Sequence, residues 1–166
     1  MTPFLALADT LNQLHDAIRP LTVEEYTCRD LRSSGSIGGH VRHCLDHVSA
    51  LECGIVAGQV CYDHRERDTV VERDPSLAAA RLRRASFRVA RIDAGLVERP
   101  LVLLAQLSAG VPSVRVATTV GRELAFVVSH TIHHSALIAV LLERAERDVP
   151  ARFGLAPTTP DLVCAR

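Results

Sequence analysis

The chain has 166 residues, and all 19 of its cationic side chains are arginine, which excludes chemistry that needs a lysine amine. Nineteen Asp and Glu residues balance them to zero net charge and a pI near 7.1, which argues against a nucleic-acid or anionic-membrane partner held by clustered positive charge. Trp is absent and aromatics make up only 4%, against a stacking platform for single strands, so eight histidines and five cysteines are the chemically notable content.

In chain order, Phe4, Leu5, Ala8, Leu11, Leu14 and Ile18 recur at intervals of three and four. They predict an amphipathic helix over 3–18, with Pro3 in its first turn and Arg19-Pro20 at its end. A connector follows through Ser33-Ser34-Gly35, with one short turn over 23–26. Ile37, Val41, Cys44, Leu45, Val48, Leu51 and Ile55 predict a second helix over 36–57, about 33 Å long at about 1.5 Å per residue. The polar, charge-dense run 58–73 reads as an ordered loop or a short helix. Asp74-Pro75, an N-cap followed by proline at the first helical position, opens a third helix. Leu77, Ala80, Leu82, Ala85, Phe87, Val89 and Ile92 carry it to about residue 97, before Pro100 stops it. Segments 101–107 and 111–118 flank Ser108-Ala109-Gly110, and the alternation of Val114 and Val116 with Ser113 and Arg115 predicts a small β-hairpin. A fourth long helix runs from about 120 to 147 on Leu124, Val127, Val128, Ile132, Leu137, Ile138, Val140 and Leu141. The tail offers Phe153, Leu155 and Leu162 as cover for the core. The expected fold is an all-α four-helix bundle, one domain over 1–166, with a small hairpin before the last long helix.

Cys28, Cys44, Cys53, Cys61 and Cys164 are odd in number and have no C-x-x-C spacing, which suits spectator thiols in a reducing compartment better than a disulfide framework. No basic region follows Met1, and no apolar run approaches the ~18 residues of a membrane span, so the cytoplasm is the expected location.

Six of the eight histidines fall in two windows, His40-Val41-Arg42-His43-Cys44-Leu45-Asp46-His47 and His130-Thr131-Ile132-His133-His134, each on a predicted long helix. His130 and His134 are four apart, so both rings can reach one ion from one face. His40, His43 and His47 also share a face, but His40 and His47 lie about 10.5 Å apart along the axis, too far to ligate one metal together with His43. One of the three, the central His43 first, would complete a three-histidine site across the helix pair. Apolar neighbours put these faces at the core, where an unpaired imidazole is costly. The metalloprotease pattern H-E-x-x-H is absent because Thr131 takes the glutamate position, and a haem site is a weaker option without C-x-x-C-H.

Ser36-Ile37 with His43 seven residues after the serine, together with His130-Thr131-Ile132-His133-His134, resembles the DinB/YfiT-like superfamily. The run Gly121-Arg122-Glu123-Leu124, the segment 60–74 and the tail Phe153-Gly154-Leu155-Ala156-Pro157 look like one subgroup of it. The chain departs from the broader pattern in lacking a tryptophan before the helix-two serine and in having Ser135-Ala136-Leu137 after the second histidine of the pair. The resemblance implies a four-helix bundle with a divalent metal on His43, His130 and His134. It also implies a homodimer and thiol S-transfer or hydrolysis, with many members lacking an assigned reaction.

Three neutral imidazoles leave a coordination position open, so the expectation is a metal-dependent enzyme acting on a small molecule, with a low-molecular-weight thiol as the first substrate. Three imidazoles suit zinc, nickel, iron and manganese alike, zinc or nickel being the first expectation. Arginines in the stretch 65–73 could hold a carboxylate-bearing thiol, although a solvated loop knitted by Glu66, Asp68 and Glu72 is the simpler reading. Glu123 and Asp46 are placed to orient a ligating imidazole, or to be surface charges. His40, His47 and His133 could transfer protons, line the pocket or be hydrogen-bonded structural residues. No cysteine has the context of a nucleophile. The competing class is a non-catalytic metal-binding helical bundle with a structural metal and a dimerisation or sensing role.

Overall fold

The structure, a computed structural model, describes residues 2–29, 35–63 and 69–160. Its α-helices are α1 (Pro3–Ile18), α2 (Val23–Thr27), α3 (Ile37–Ala57), α4 (Pro75–Val89) and α5 (Val120–Arg144), and its strands are β1 (Gln59–Cys61), β2 (Pro100–Ala105) and β3 (Val114–Thr119). β2 and β3 pair antiparallel as a hairpin, while β1 lies parallel to β2 on its other side, with Val60 opposite Leu103. This corrects the all-α expectation. The described residues combine five α-helices with a three-stranded mixed sheet, an α/β arrangement, and the four-helix bundle is not what they form.

Two local features account for the difference. Gly58, at φ +76°, ends α3 in the left-handed conformation that glycine adopts without a Cβ penalty. The chain therefore leaves the helix directly into β1, which reads as loop because three residues are too few to show an alternation. At the other end of the expected third helix, Val89 closes α4, and Asp93 caps a single 3₁₀ turn, Ala94–Leu96, that leads into β2.

Caps fix where the two site-bearing helices begin. The Ser36 hydroxyl accepts from the Gly39 N–H at 3.1 Å, and the Thr119 hydroxyl accepts from the Arg122 N–H at 3.2 Å. No loop separates β3 from α5, and Gly121 N–H donates to the Val97 carbonyl at 2.8 Å, so β3 and the 3₁₀ turn together set the rotation of α5. α1 packs on α4 and α5, and α3 packs on α5 and α4. The core between them is Phe4, Leu7, Leu11 and Leu14 of α1 with Val41, Val48, Leu82, Val127, Ile138 and Leu142.

By length and composition α5 is apolar enough to cross a membrane, contrary to the expectation that no such segment exists. A buried core helix meets the same test, and α5 turns Leu124, Val127, Ile138 and Leu142 into the core. In the tail Phe153 is buried and Leu155 exposed, while Leu162 lies outside the described residues.

The α3 N-terminus is pinned by the segment before α4. The buried Tyr26 hydroxyl donates to the Val71 carbonyl at 3.0 Å, and a Cβ at Gly38 would overlap the Glu72 carbonyl oxygen and lie 2.8 Å from Tyr26 Cε1. Gly38→Ala is therefore expected to lower the unfolding free energy by about 1–3 kcal/mol, as overpacking does, in a urea titration followed by far-UV circular dichroism.

Candidate metal centre

α3 and α5 meet along their histidine faces. The hydroxyls of the buried Thr131 and Ser135 donate back to the carbonyls of Val127 at 2.7 Å and Thr131 at 2.9 Å, which satisfies them within α5 and leaves the imidazoles as the polar groups facing α3. His43 Nε2 and His130 Nε2 are 2.8 Å apart, and His47 joins them so that one ring nitrogen from each lies within 4.8 Å of the others. A tetrahedral ion with bonds of about 2.0–2.1 Å needs donors about 3.4 Å apart, a spacing between these two distances. The donor set therefore fits a divalent ion with small side-chain movements.

His47 brings a fixed tautomer. Its Nδ1 lies 2.9 Å from the His43 carbonyl oxygen, which can only accept, so Nδ1 carries the proton and Nε2 keeps the lone pair a metal requires. Aromatic rings wall this side of the cluster. Tyr62, the residue after β1, stacks on His47 with centroids 5.1 Å apart and planes 9° from parallel, and Phe126 stacks on His130 at 5.5 Å.

His134, the third ligand implied by the family resemblance, packs its ring 4.5 Å from His43 and 4.6 Å from His130. Its Nδ1 contacts His40 Nδ1 at 2.9 Å, so His134 joins a second imidazole pair beside the three-histidine group. Burial first, then the neighbouring His130, His40 and His133, push His134 down to about 3. Burial and then His133 also lower His40, whose buried Nε2 has no hydrogen-bond partner among the described residues. His133 is exposed, with its ring centroid 5.4 Å from that of His134 and the two planes nearly perpendicular.

The two carboxylates behave differently. Asp46 accepts from Arg42 at 3.1 Å, and the same guanidinium reaches Glu72 at 3.1 Å. Glu123 is wholly buried, and its Oε1 accepts from the Thr118 hydroxyl at 2.7 Å and from Arg122 at 3.0 Å. Glu123 also lies close to Tyr62, whose phenol is raised above its ordinary value by burial and then by the Glu123 charge. Cys44, beside His43 in sequence, is buried, and its thiol is pushed up to about 12 by burial, which keeps it protonated. Cys28 and Cys53 are exposed and Cys61 is half-buried. Arg65, Arg67, Glu66, Asp68 and Cys164 lie outside the described residues.

The sequence placed His43 with His130 and His134 first, with His40 and His47 as the alternatives to His43 on its helix. The missed signal is that His43 and His47 form an H-x-x-x-H pair of the same kind as His130 and His134. Tyr62 entered only within the segment 60–74 that carries the family resemblance and Phe126 not at all; the contact of Tyr62 with His47 depends on the sheet.

No protein-family model matches the chain. The chain is similar to a curated protein named FK506-binding protein 5 from Rhizopus delemar, 32% identical over 99 residues, which make up 59% of this chain. The match covers 26% of that protein, so the chain spans about a quarter of the length of the relative it matches. Neither comparison shows a family for the chain.

The depressed His134 value has a signed consequence for the metal-free protein. Between the ordinary histidine value near 6.5 and the folded value of about 3, the unfolded chain binds the proton and the folded chain does not. His134 therefore favours unfolding as pH falls through this window, and His40 acts in the same direction. In urea titrations of metal-free protein between pH 7 and pH 4, stability should fall with pH, and the decline should be shallower in His134→Asn.

Proposed function

We propose that the protein is a metal-dependent enzyme acting on a small molecule, with a divalent ion held by His43, His47 and His130 and with His134 as a fourth imidazole beside them. The observation that carries this reading is that ring nitrogens of three imidazoles from two helices lie within 4.8 Å of one another. When bound, such an ion supplies a Lewis acid with a coordination position left for substrate. The reaction class comes from the resemblance to the DinB/YfiT-like superfamily: S-transfer from a low-molecular-weight thiol to an electrophile, in a cytoplasmic homodimer.

The chain's own residues supply orientation and a partly dry wall. His43 accepts at its backbone carbonyl and so holds the His47 ring by its Nδ1 proton. Tyr62 and Phe126 cover His47 and His130 on the sheet side, which keeps water from competing there. Arg122, over the Phe126 ring at 5.6 Å and more than half exposed, is the permanent cation at that rim suited to an anionic group of the substrate.

Elemental analysis of protein purified without a histidine tag is expected to find about one equivalent of zinc, nickel, iron or manganese. His43→Ala, His47→Ala and His130→Ala should each weaken metal affinity at least about 100-fold, about 2.7 kcal/mol, while His133→Ala should leave it nearly unchanged. A glutathione-like thiol offered with an alkylating electrophile should be consumed only by the metal-loaded protein. Absence of stoichiometric metal, or equal affinity in all four variants, would contradict the reading.

A further inference from the structure

α1 and α4 lie side by side, the buried Ser86 hydroxyl donating to the Ala8 carbonyl at 3.1 Å, and an open groove of about 1060 Å³ runs over their outer faces. Its two walls differ in charge. α1 holds Asp9 and Asp16 and no arginine, whereas α4 holds Arg81, Arg83, Arg84 and Arg88 and no carboxylate. On α1 the exposed Leu5, Asp9, Asn12 and Asp16 follow at intervals of four, three and four, which keeps them on one stripe. On α4 the exposed Arg83, Arg84 and Phe87 share a face with Arg91, just beyond the helix end, in the same way. The zero net charge of the chain thus hides two adjacent rows of opposite sign.

Neither row is neutralised by the other. Asp9 accepts from Gln13 and Asp16 contacts His15, both within α1, and no ion pair among the described residues crosses the groove. On α4, Arg88 is engaged by Glu52 of α3, and Arg91 lies over the Phe87 ring at 5.3 Å. Arg83 and Arg84 have no ion pair or hydrogen bond among the described residues and line the groove. Phe87 stands between them and Arg91, 65% exposed, the one exposed ring among the phenylalanines and tyrosines. Aromatic side chains in that position are characteristic of contact surfaces.

Side-by-side rows of opposite sign are self-complementary. A two-fold axis along the groove lays α1 of one copy over α4 of the other and α4 over α1, so carboxylates meet guanidinium groups twice. An axis across the groove would instead set each row against its own kind. A nucleic acid or an anionic membrane fits this surface less well, because Asp9 and Asp16 stand in the same groove as the arginines.

We propose that the α1–α4 groove is the contact face of a homodimer, with Asp9 and Asp16 of each copy against Arg83 and Arg84 of the other and with Leu5 and Phe87 covered between them. This deepens the homodimer of the proposed function by naming its interface, and it stands on the two charge rows and not on the metal or the reaction.

Sedimentation velocity of tag-free protein between about 1 and 100 μM should show a monomer–dimer equilibrium. Asp9→Arg with Asp16→Arg, and separately Arg83→Glu with Arg84→Glu, should each weaken association at least about tenfold, because like charges then face one another. An equimolar mixture of the two double variants should restore association to within about threefold of the wild type, since the reversed rows match across the two-fold. Phe87→Ala, which leaves both charge rows intact, should weaken association about tenfold, and it decides the matter if a double variant fails to fold. A wild type that is monomeric at about 100 μM, a mixture that remains monomeric, or association unchanged in Phe87→Ala overturns the proposal. Binding of a monomeric wild type to phosphatidylglycerol vesicles or to single-stranded DNA through Arg83 and Arg84 would assign the arginine row to an anionic surface and overturn it as well. A dimer indifferent to both charge reversals keeps the homodimer and loses this interface. Metal content, measured on the same samples, judges the metal reading separately.

Discussion

The structure depends on how α3 and α5 tolerate five imidazoles at their shared face. Burying a polar ring without a partner costs free energy that an apolar side chain would not. The rings here are matched across the helix pair, His43 with His130 at 2.8 Å and His40 with His134 at 2.9 Å. Such matching requires the two helices to keep one rotation and one axial offset. A slip of one residue on either helix would turn these faces toward aliphatic neighbours and break both pairs.

That register is fixed from outside the cluster. Ser36 caps the start of α3, and the fit of Gly38 against the Glu72 backbone holds that end in place. Thr119 and the Gly121–Val97 hydrogen bond bind the start of α5 to the strands and the 3₁₀ turn. The mixed sheet is thus part of the site's construction. It delivers α5 from β3 without slack, and through β1 it brings Tyr62 against His47. With helices alone the cluster would lack Tyr62 and the buried Glu123–Thr118 contact.

The sequence revealed what depends on helical periodicity and concealed what depends on long-range pairing. α3 spans almost the same residues that apolar periodicity indicated, Ile37–Ala57 against 36–57, and the H-x-x-x-H pair of α5 lies on the face turned toward α3. The sheet was only half legible. Val114 and Val116 alternate visibly in the hairpin, whereas Gln59–Cys61 becomes a strand only because β2 lies beside it. His47 stood behind His43 as an alternative ligand, because the length from His40 to His47 excludes using both ends at once; that distance does not exclude His43 with His47. Glu123, read as an orienting or surface charge, is wholly buried, held by a threonine on the preceding strand and by its neighbour Arg122.

The central claim is that imidazoles of α3 and α5 together hold one metal ion. X-ray absorption at the edge of the bound metal tests it most directly, because it reads the donor atoms themselves. A shell of nitrogen and oxygen scatterers at about 2.0–2.1 Å with the multiple-scattering pattern of at least three imidazoles is expected. A sulfur scatterer near about 2.3 Å, which would implicate a cysteine such as Cys44 or Cys61, or a shell without imidazole scattering, would contradict it.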